Sequence, residues 1–254
     1  MLYHALADNS SHSYFEQTSY RLEGELDISL VEISLNEVFK RHDILRTAFV
    51  YQDIERPVQV VLKERAIEFY YEDLRKINGQ EEKENYIRDF KTKNKERPFD
   101  LSKGALMRVS ILGIDNGVNE FVWSFLHILM DVWCLGILSH EFFEIYSGHL
   151  EKKASRLPVV KPYRTYIQWL EKQDREESKR YWEKYLDSFE EHTGVSKTKI
   201  INKNDNRYKH ETVSFLLSRE KTTGLNKLAG QNHVTMNTVT QLLWGILLVK
   251  YNGK

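Results

Sequence analysis

A histidine and an aspartate four residues apart, His127 and Asp131, are the residues whose types and spacing could do chemistry in this sequence. They lie in the otherwise apolar stretch SFLHILMDVW at residues 124–133. An imidazole titrates near neutral pH, so a histidine beside an acyl group and a nucleophile can act as a general base. A single histidine in an apolar strand is more often a packed core residue, and the spacing alone is therefore weak evidence for catalysis.

Signatures of other chemistries are absent from the sequence. It contains no GxSxG, GxGxxG or GxxxxGK[ST] motif, and Cys134 has no neighbouring group that would stabilise a thiolate. The stretch HEFFEIYSGH lacks the histidine spacing of a zinc-binding helix, and there is no CxxC pair, so we expect no metal site. His127 and Asp131 remain the candidates for chemistry.

Composition limits the classes of partner. The 254 residues are 41% hydrophobic and 29% charged, which is ordinary for a globular protein. Lys and Arg together number 37, as do Asp and Glu, so the net charge is zero. This charge balance does not indicate binding to nucleic acid or to an anionic membrane. The single cysteine and the lack of a signal peptide or a membrane-spanning apolar run favour a cytoplasmic protein.

The apolar pattern predicts the elements that position the pair. His127 lies near the end of a strand at 119–129, which forms a hairpin with a strand at 105–114 through a turn containing DNG. Asp131 is at the N-cap position of a helix at 132–148, and we expect Gly148 to close this helix. The further predicted strands are 15–26, 57–63, 67–74 and 211–218, and the further helices are 27–46 with Asp27 as N-cap, 81–96, 163–189, 219–232 and 235–253.

These elements predict an α+β fold. Strands and helices do not alternate strictly, so a doubly wound parallel sheet is not expected. Residues 191–210 have no apolar period and are predicted to form a long loop. The last helix is apolar nearly all round, so it requires a cover from this domain or from a further part of the protein.

Several stretches resemble motifs of nonribosomal peptide synthetase condensation domains, in the same order and spacing. LHILMDVWCLGIL at 126–138 resembles the His-His-x-x-x-Asp-Gly motif, and RHDILRTAF at 41–49 resembles Arg-His-x-x-Leu-Arg-Thr-x-Phe without a break. YRTYIQW at 163–169 resembles a later Tyr-x-Asp-(Phe/Tyr)-x-x-Trp motif, and MLYHALAD at 1–8 resembles the end of the first motif.

The resemblance implies a fold and a division of the chain. Condensation domains are similar to two chloramphenicol-acetyltransferase-like lobes with the active site in a tunnel between them. The expected lobe is a mixed sheet flanked by helices. We expect residues 1–234 to be the N-terminal lobe, and residues 235–254 to be the helix that begins a C-terminal lobe missing from this chain.

The resemblance also assigns site residues. His127 aligns with the second histidine of the motif, which is thought to act as base or to position the attacking amine. Asp131 aligns with a structural aspartate that pairs with an arginine, and the candidates here are Arg41 and Arg46. We expect at least one of these arginines in a buried ion pair, and His42 beside them is expected to pack.

Three positions depart from the motifs. Leu126 replaces the first histidine, Val132 replaces the glycine, and Thr165 replaces the aspartate of the later motif. Leu126, Val132 and Trp133 are expected along the substrate channel, where a glycine would permit positive φ and close approach of the substrate arm. Tyr163, Tyr166 and Trp169 are expected to form a core stripe rather than a ligand face.

The implied activity is peptide bond formation between aminoacyl or peptidyl thioesters in antibiotic or other secondary-metabolite biosynthesis. Carrier proteins would deliver both substrates on 4′-phosphopantetheine, no cofactor would bind the domain directly, and neighbouring synthetase domains would be partners. The alternatives are an epimerization domain of the same superfamily and a degenerate scaffold that docks carrier proteins without catalysis. The amino acids joined do not follow from the sequence.

Overall fold

The computed structural model describes Leu2, residues 14–190, Gly194 and residues 213–252. The chain divides into two compact units, Met1–Gln173 and Asp174–Lys254. The predicted loop at 191–210 lies outside the described residues apart from Gly194, as does the motif at 1–8 apart from Leu2. The predicted lobe boundary at residue 234 stays a prediction.

A four-stranded mixed sheet is the centre of the first unit, and its strand order is β1-β6-β5-β4. The strands are β1 (Phe15–Glu23), β4 (Glu68–Asp73), β5 (Met107–Asp115) and β6 (Val118–Leu126). The β1–β6 and β5–β6 pairs are antiparallel, whereas β4 and β5 are parallel. Strands β5 and β6 are buried along nearly their whole length, as expected for central strands covered on both faces.

The predicted β5–β6 hairpin is confirmed, and its turn depends on a glycine. Gly117 has φ of 65°, a left-handed conformation that glycine adopts without a steric penalty. Phe125 lies opposite Met107 at the far end of the hairpin, so the register brings the end of β6 to the start of β5. This pairing fixes the point at which the chain leaves the sheet toward His127.

Helices cover both faces of the sheet. The larger core cluster joins the sheet to α1 (Ile28–Arg41) and α3 (Val132–Glu151), and α1 and α3 also contact each other. A smaller cluster packs Ile87 of α2 (Gln80–Glu96) against Leu112 and Ile114 of β5. Asp27 is the N-cap of α1, as predicted, and its side chain accepts hydrogen bonds from two backbone N–H groups. The α+β fold with a mixed sheet flanked by helices is confirmed.

Three smaller elements complete the first unit. A short 3₁₀ helix at Asp43–Arg46 follows α1. It leads into an antiparallel ribbon of β2 (Thr47–Val50) and β3 (Val58–Val61). After α3 the chain runs without regular structure to α4 (Tyr163–Glu171).

The second unit is helical in its described part. It contains α5 (Arg175–Tyr185), α6 (Arg219–Gln231) and α7 (Met236–Asn252), and α6 contacts α7. The predicted strand at 211–218 is wrong for residues 213–218, which form no strand. Large apolar side chains of α7 are about half exposed, namely Leu242, Leu243, Trp244, Ile246, Leu247, Val249 and Tyr251.

Two predicted helix boundaries are wrong for identifiable reasons. The predicted helix at 163–189 is interrupted because Asp174 caps a new helix, its side chain accepting the N–H of Glu177 at 3.0 Å. Helix α3 continues past Gly148 to Glu151, and Lys152 in the left-handed conformation ends it. Gly148 instead lets the backbone at Lys153 pack closely against the helix, because a Cβ at residue 148 would lie 2.8 Å from the Lys153 carbonyl oxygen. None of the helices in the described part of the chain combines the length and the apolar composition that a membrane span requires.

Candidate functional site

His127 is the first residue after β6 and is held at both its backbone and its ring. Its N–H donates to the Tyr14 carbonyl oxygen at 2.7 Å, and its ring lies edge-on to the Tyr14 ring. The ring nitrogen Nδ1 is 3.1 Å from the Met130 carbonyl oxygen. Because a carbonyl oxygen only accepts, this bond places a proton on Nδ1. In the neutral imidazole, Nε2 then carries the lone pair of a base.

Asp131 caps helix α3 and is exposed. One of its carboxylate oxygens accepts the N–H of Cys134 at 3.1 Å, which confirms the N-cap position. Hydrogen bonds from the Cys134 side chain and backbone lower the pKa of Asp131. The predicted pairing of Asp131 with Arg41 or Arg46 is wrong, because both arginines bind other groups.

Arg41 pairs with an acid on α3 rather than with Asp131. Its Nε is 2.9 Å from Oε2 of Glu141, and one terminal nitrogen also donates to the Pro158 carbonyl oxygen at 2.8 Å. Glu141 is buried and the Arg41 side chain is mostly so. The expected buried ion pair therefore exists, but it joins α1 to Glu141 in the middle of α3 instead of to Asp131 at the N-cap.

Arg46 connects the end of α1 to the β2–β3 ribbon. Its guanidinium donates to the carbonyl oxygens of Phe39, Leu62 and Lys63, and it pairs with Asp43 at 2.6 Å. Hydrogen bonds to all of these partners make Arg46 a structural residue of the RHDILRTAF stretch.

His42 is more than a packing residue, contrary to the expectation from the sequence. Its Nε2 is 2.8 Å from Oε2 of Glu141, the oxygen that also accepts from Arg41. Burial raises the pKa of Glu141, but the hydrogen bonds from Arg41 and His42 outweigh burial and lower the pKa overall. Sequence reasoning missed Glu141 because it lies about a hundred residues from its partners, inside a helix with no motif of its own.

A cavity of about 510 Å³ brings His127, His42 and Asp131 together in the first unit. Its apolar wall contains Ile44, Leu45, Ile128, Leu129, Met130, Ile137 and Leu138. Its polar lining is completed by Gln59, Cys134 and Tyr163. Burial raises the pKa of the Cys134 thiol, so the thiolate is disfavoured there. The described residues contain no group of three or more His, Cys, Asp or Glu side chains that could hold a metal ion.

Leu126, Val132 and Trp133 do not line this cavity. Leu126 packs against the main core cluster. Val132 is the first residue of α3, without positive φ, so its backbone conformation does not require a glycine. The Val132 and Trp133 side chains are 57% and 88% exposed. Their role in a substrate channel stays a prediction.

The aromatic residues of α4 do not form the core stripe that the sequence favours. Tyr163, Tyr166 and Trp169 are each about half exposed, and their rings follow one another at centroid distances of 5.7 and 5.8 Å. Tyr163 is one of the residues that line the cavity beside His127. Thr165, on the same helix, is exposed.

Sequence comparisons place the chain among large synthases. One of the subunits of mycosubtilin synthase from Bacillus subtilis is 42% identical over 253 residues, which are 100% of this chain and 10% of that protein. Bacitracin synthase 3 of Bacillus licheniformis is 40% identical over 99% of this chain and 4% of its own length. The chain therefore spans a tenth or less of these two relatives.

Structural comparisons show the same fold in solved condensation domains. The first condensation domain of the CDA synthetase superposes with a TM-score of 0.74 at 15% identity, over 100% of this chain and 60% of that chain. VibH, a condensation enzyme, gives a TM-score of 0.72 at 19% identity, over 98% and 56%. The condensation domain family model matches residues 1–254. The chain therefore belongs to the condensation domain family of nonribosomal peptide synthetases.

Proposed function

We propose that this chain is the N-terminal lobe of a condensation domain that forms a peptide bond between two carrier-bound thioesters. Residues 1–234 are the lobe and residues 235–254 the helix that begins a second lobe. Two findings support this assignment. The chain belongs to the condensation domain family, and it is similar to large synthases of which it spans only a small part. Carrier proteins deliver the substrates on phosphopantetheine arms, and neighbouring synthetase domains are the partners.

The single observation that carries the proposal is the anchoring of His127. The Met130 carbonyl fixes Nδ1 as the donor nitrogen, so Nε2 has the lone pair that a general base requires. The fixed turn after β6 holds the ring at a defined position beside the cavity. Leu126 packs on the core, so the chemistry depends on this one histidine of the motif.

His127 acts on the amine of the acceptor substrate. As the amine nitrogen attacks the thioester carbonyl, the new C–N bond forms and Nε2 takes a proton from nitrogen. The C–S bond then breaks, and the same proton goes from His127 to the sulfur of the leaving thiol. The products are an amide on the acceptor arm and a free thiol on the donor arm, so atoms and charges balance without a further reactant.

The apolar wall of the cavity supports amide formation over hydrolysis. The cavity falls within the size range of ligand pockets in proteins, and side chains such as Ile128, Leu129 and Met130 leave little for water to bind. A thioester held there meets the delivered amine in preference to water. Asp131 and Arg46 support the site by capping α3 and by fixing the RHDILRTAF stretch.

Substitution of His127 tests the proposal in the intact condensation domain. His127→Ala is expected to lower the rate of dipeptidyl thioester formation between two loaded carrier proteins by about a hundredfold or more, the usual contribution of a general base. His140→Ala is the matched control, because His140 is an exposed histidine of α3 that does not line the cavity. A His127→Ala domain that condenses as fast as the His140→Ala domain would remove His127 from the reaction.

A further inference from the structure

A second histidine lines the cavity that holds His127. His42 follows α1 directly, and its backbone N–H donates to the Val38 carbonyl oxygen to close that helix. Its ring is fixed by Glu141, whose Oε2 lies 2.8 Å from Nε2. Two imidazoles from distant parts of the sequence therefore share one cavity of about 510 Å³, and each has one nitrogen bound to a protein oxygen.

The pairing of Glu141 sets the protonation of the His42 ring. Arg41 donates to both oxygens of Glu141, at 2.9 and 3.4 Å, which keeps the carboxylate ionised. An ionised carboxylate only accepts hydrogen bonds, so Nε2 of His42 must carry the proton of this bond. In the neutral ring, Nδ1 of His42 then carries the lone pair. His127 therefore donates through Nδ1 and keeps Nε2 as the base, whereas His42 donates through Nε2 and keeps Nδ1 as the base.

The stoichiometry of the reaction calls for two proton acceptors. An α-amino group has a pKa near 8, so it enters a neutral solution mainly as the ammonium ion. To become an amide nitrogen, the ammonium must lose two protons. One proton ends on the leaving thiol and the other is released, so that thioester plus ammonium gives amide, thiol and one H⁺. His127 accounts for the proton that reaches the sulfur, and the released proton needs another acceptor.

We propose that His42 takes the first proton from the ammonium group of the acceptor substrate, so that the amine reaches His127 as the free base. This inference rests on the proposed condensation function. The ammonium N–H bond breaks, its proton moves to Nδ1 of His42, and the proton then leaves to solvent. Glu141 is a positioning residue, because it holds Nε2 as the donor and stabilises the positive charge that His42 acquires. Arg41 keeps Glu141 ionised.

The charged and titratable groups around His42 are few. Glu141 on α3 faces its Nε2, and Arg41 on α1 shares that carboxylate. The remaining titratable groups that line the cavity are His127, Asp131, Cys134 and Tyr163. Arg46 follows the cavity residue Leu45 in the chain and pairs with Asp43. Among the described residues, Glu141 is therefore the carboxylate that lies within hydrogen-bond distance of the His42 ring.

The test is a comparison of rate against pH in the intact domain. His42→Gln retains an N–H that can donate to Glu141 but has no basic nitrogen. At pH 6.5 about 97% of an amine with a pKa near 8 is the ammonium ion, so nearly every bound acceptor must lose a proton before it reacts. Without the His42 base this proton loss is slow, and His42→Gln is expected to lower the condensation rate about tenfold or more. At pH 9 most of the amine is already deprotonated, and the variant is expected within about threefold of the parent. Glu141→Gln is expected to show the same trend with pH.

A second acceptor separates proton removal from a structural role. An acceptor analogue with an aminooxy group in place of the amine is a much weaker base and is largely unprotonated at pH 6.5. His42→Gln should use it as fast as the parent at both pH values. Equal loss on both acceptors, or a loss that does not change with pH, would overturn the proposal and leave His42 as a structural residue.

His127→Ala makes a failure of this inference distinguishable from a failure of the proposed function. Loss of activity on both acceptors at every pH is expected for that variant, because the second proton must still be moved. Full activity of His127→Ala would contradict the proposed role of His127, whereas a His42→Gln profile parallel to that of the parent contradicts only the role of His42.

Discussion

Asp131 and Glu141 lie at the start and in the middle of the same helix, and their surroundings give the two acids different roles. Asp131 is exposed and binds only the first turn of α3, whereas Glu141 is buried and binds two side chains that follow one another at the end of α1. A carboxylate at a helix N-terminus stabilises a local structure. A buried carboxylate with two partners fixes the relative position of two elements.

The exposure of Asp131 predicts a small effect of its removal. Asp131→Ala in the intact domain should lower the melting temperature only as much as Asp27→Ala does, since both acids cap exposed helix ends. The lowered pKa of Asp131 means that its contribution is present above the unfolded-state pKa of about 3.8 and is lost as the pH falls through the folded-state value. Aggregation or a far larger loss on Asp131→Ala would indicate a buried partner.

Local signals predicted some of these residues and could not predict others. The N-cap roles of Asp27 and Asp131 follow from an acid directly before an apolar period, which is a property of a few neighbouring residues. The Arg41–Glu141–His42 cluster depends on two helices that meet only in the folded chain, so no local sequence pattern predicts it. The break before α5 did have a local signal, because Asp174 and Glu177 have the spacing of a capping box.

At the scale of elements, α1 and α3 are joined by two acid–base contacts of unequal depth. Glu141 with Arg41 and His42 forms the buried contact. Glu37 with His149 forms the other, at 2.8 Å, and both of its side chains are partly exposed. The two contacts lie on the same pair of helices, so they provide a matched comparison of a buried and an exposed ion pair.

Removal of the buried acid should destabilise the domain far more than removal of the exposed one. Glu141→Ala leaves the Arg41 guanidinium partly buried without its carboxylate, and a loss of about 3 kcal/mol in the free energy of unfolding is expected at pH 7. Glu37→Ala should change it by less than about 1 kcal/mol. Chemical denaturation of both variants measures the difference.

The Glu141 contribution should also depend on pH in a defined direction. The folded-state pKa of Glu141 is lowered from its ordinary 4.5, so the contribution is fully present above about pH 4.5 and is lost as the pH falls through the folded value. The gap between the parent and Glu141→Ala should therefore narrow in acid. A gap that is constant from pH 7 to pH 3 would show that Glu141 acts only through packing.

At the scale of the whole molecule, the types and order of the elements predicted the fold well, because burial imposes an apolar pattern along the whole length of each element. The central strands and the helices with an apolar face were found at their expected places. The prediction that the α4 aromatic residues form a core stripe is wrong because an apolar stripe indicates only a surface that favours burial. The stripe does not indicate whether the same lobe or another part of the protein buries it. The same ambiguity applies to the apolar side chains of α7.

The isolated chain is expected to be inactive in condensation. The chain covers 60% of a solved condensation domain with the same fold, and the cavity around His127 is one wall of the proposed tunnel. Without the opposite wall, two substrates are not held in attack geometry, and that positioning can contribute about 7–11 kcal/mol. Mixing the isolated chain with two loaded carrier proteins should give no dipeptidyl thioester above background. Turnover like that of the intact domain would contradict the two-lobe proposal.

The pairing of β1 with β6 has a consequence for the order in which the protein acquires its structure during synthesis. Phe15 lies opposite Leu126, and Glu23 opposite Val118, so the first strand of the sheet pairs with the last. A ribosome must complete β6 before β1 has any partner, and closing so long a loop is slow. Until then β1 is an unpaired edge that other chains can bind. Nascent chains stalled before β6 should therefore need a chaperone more than chains stalled just after it.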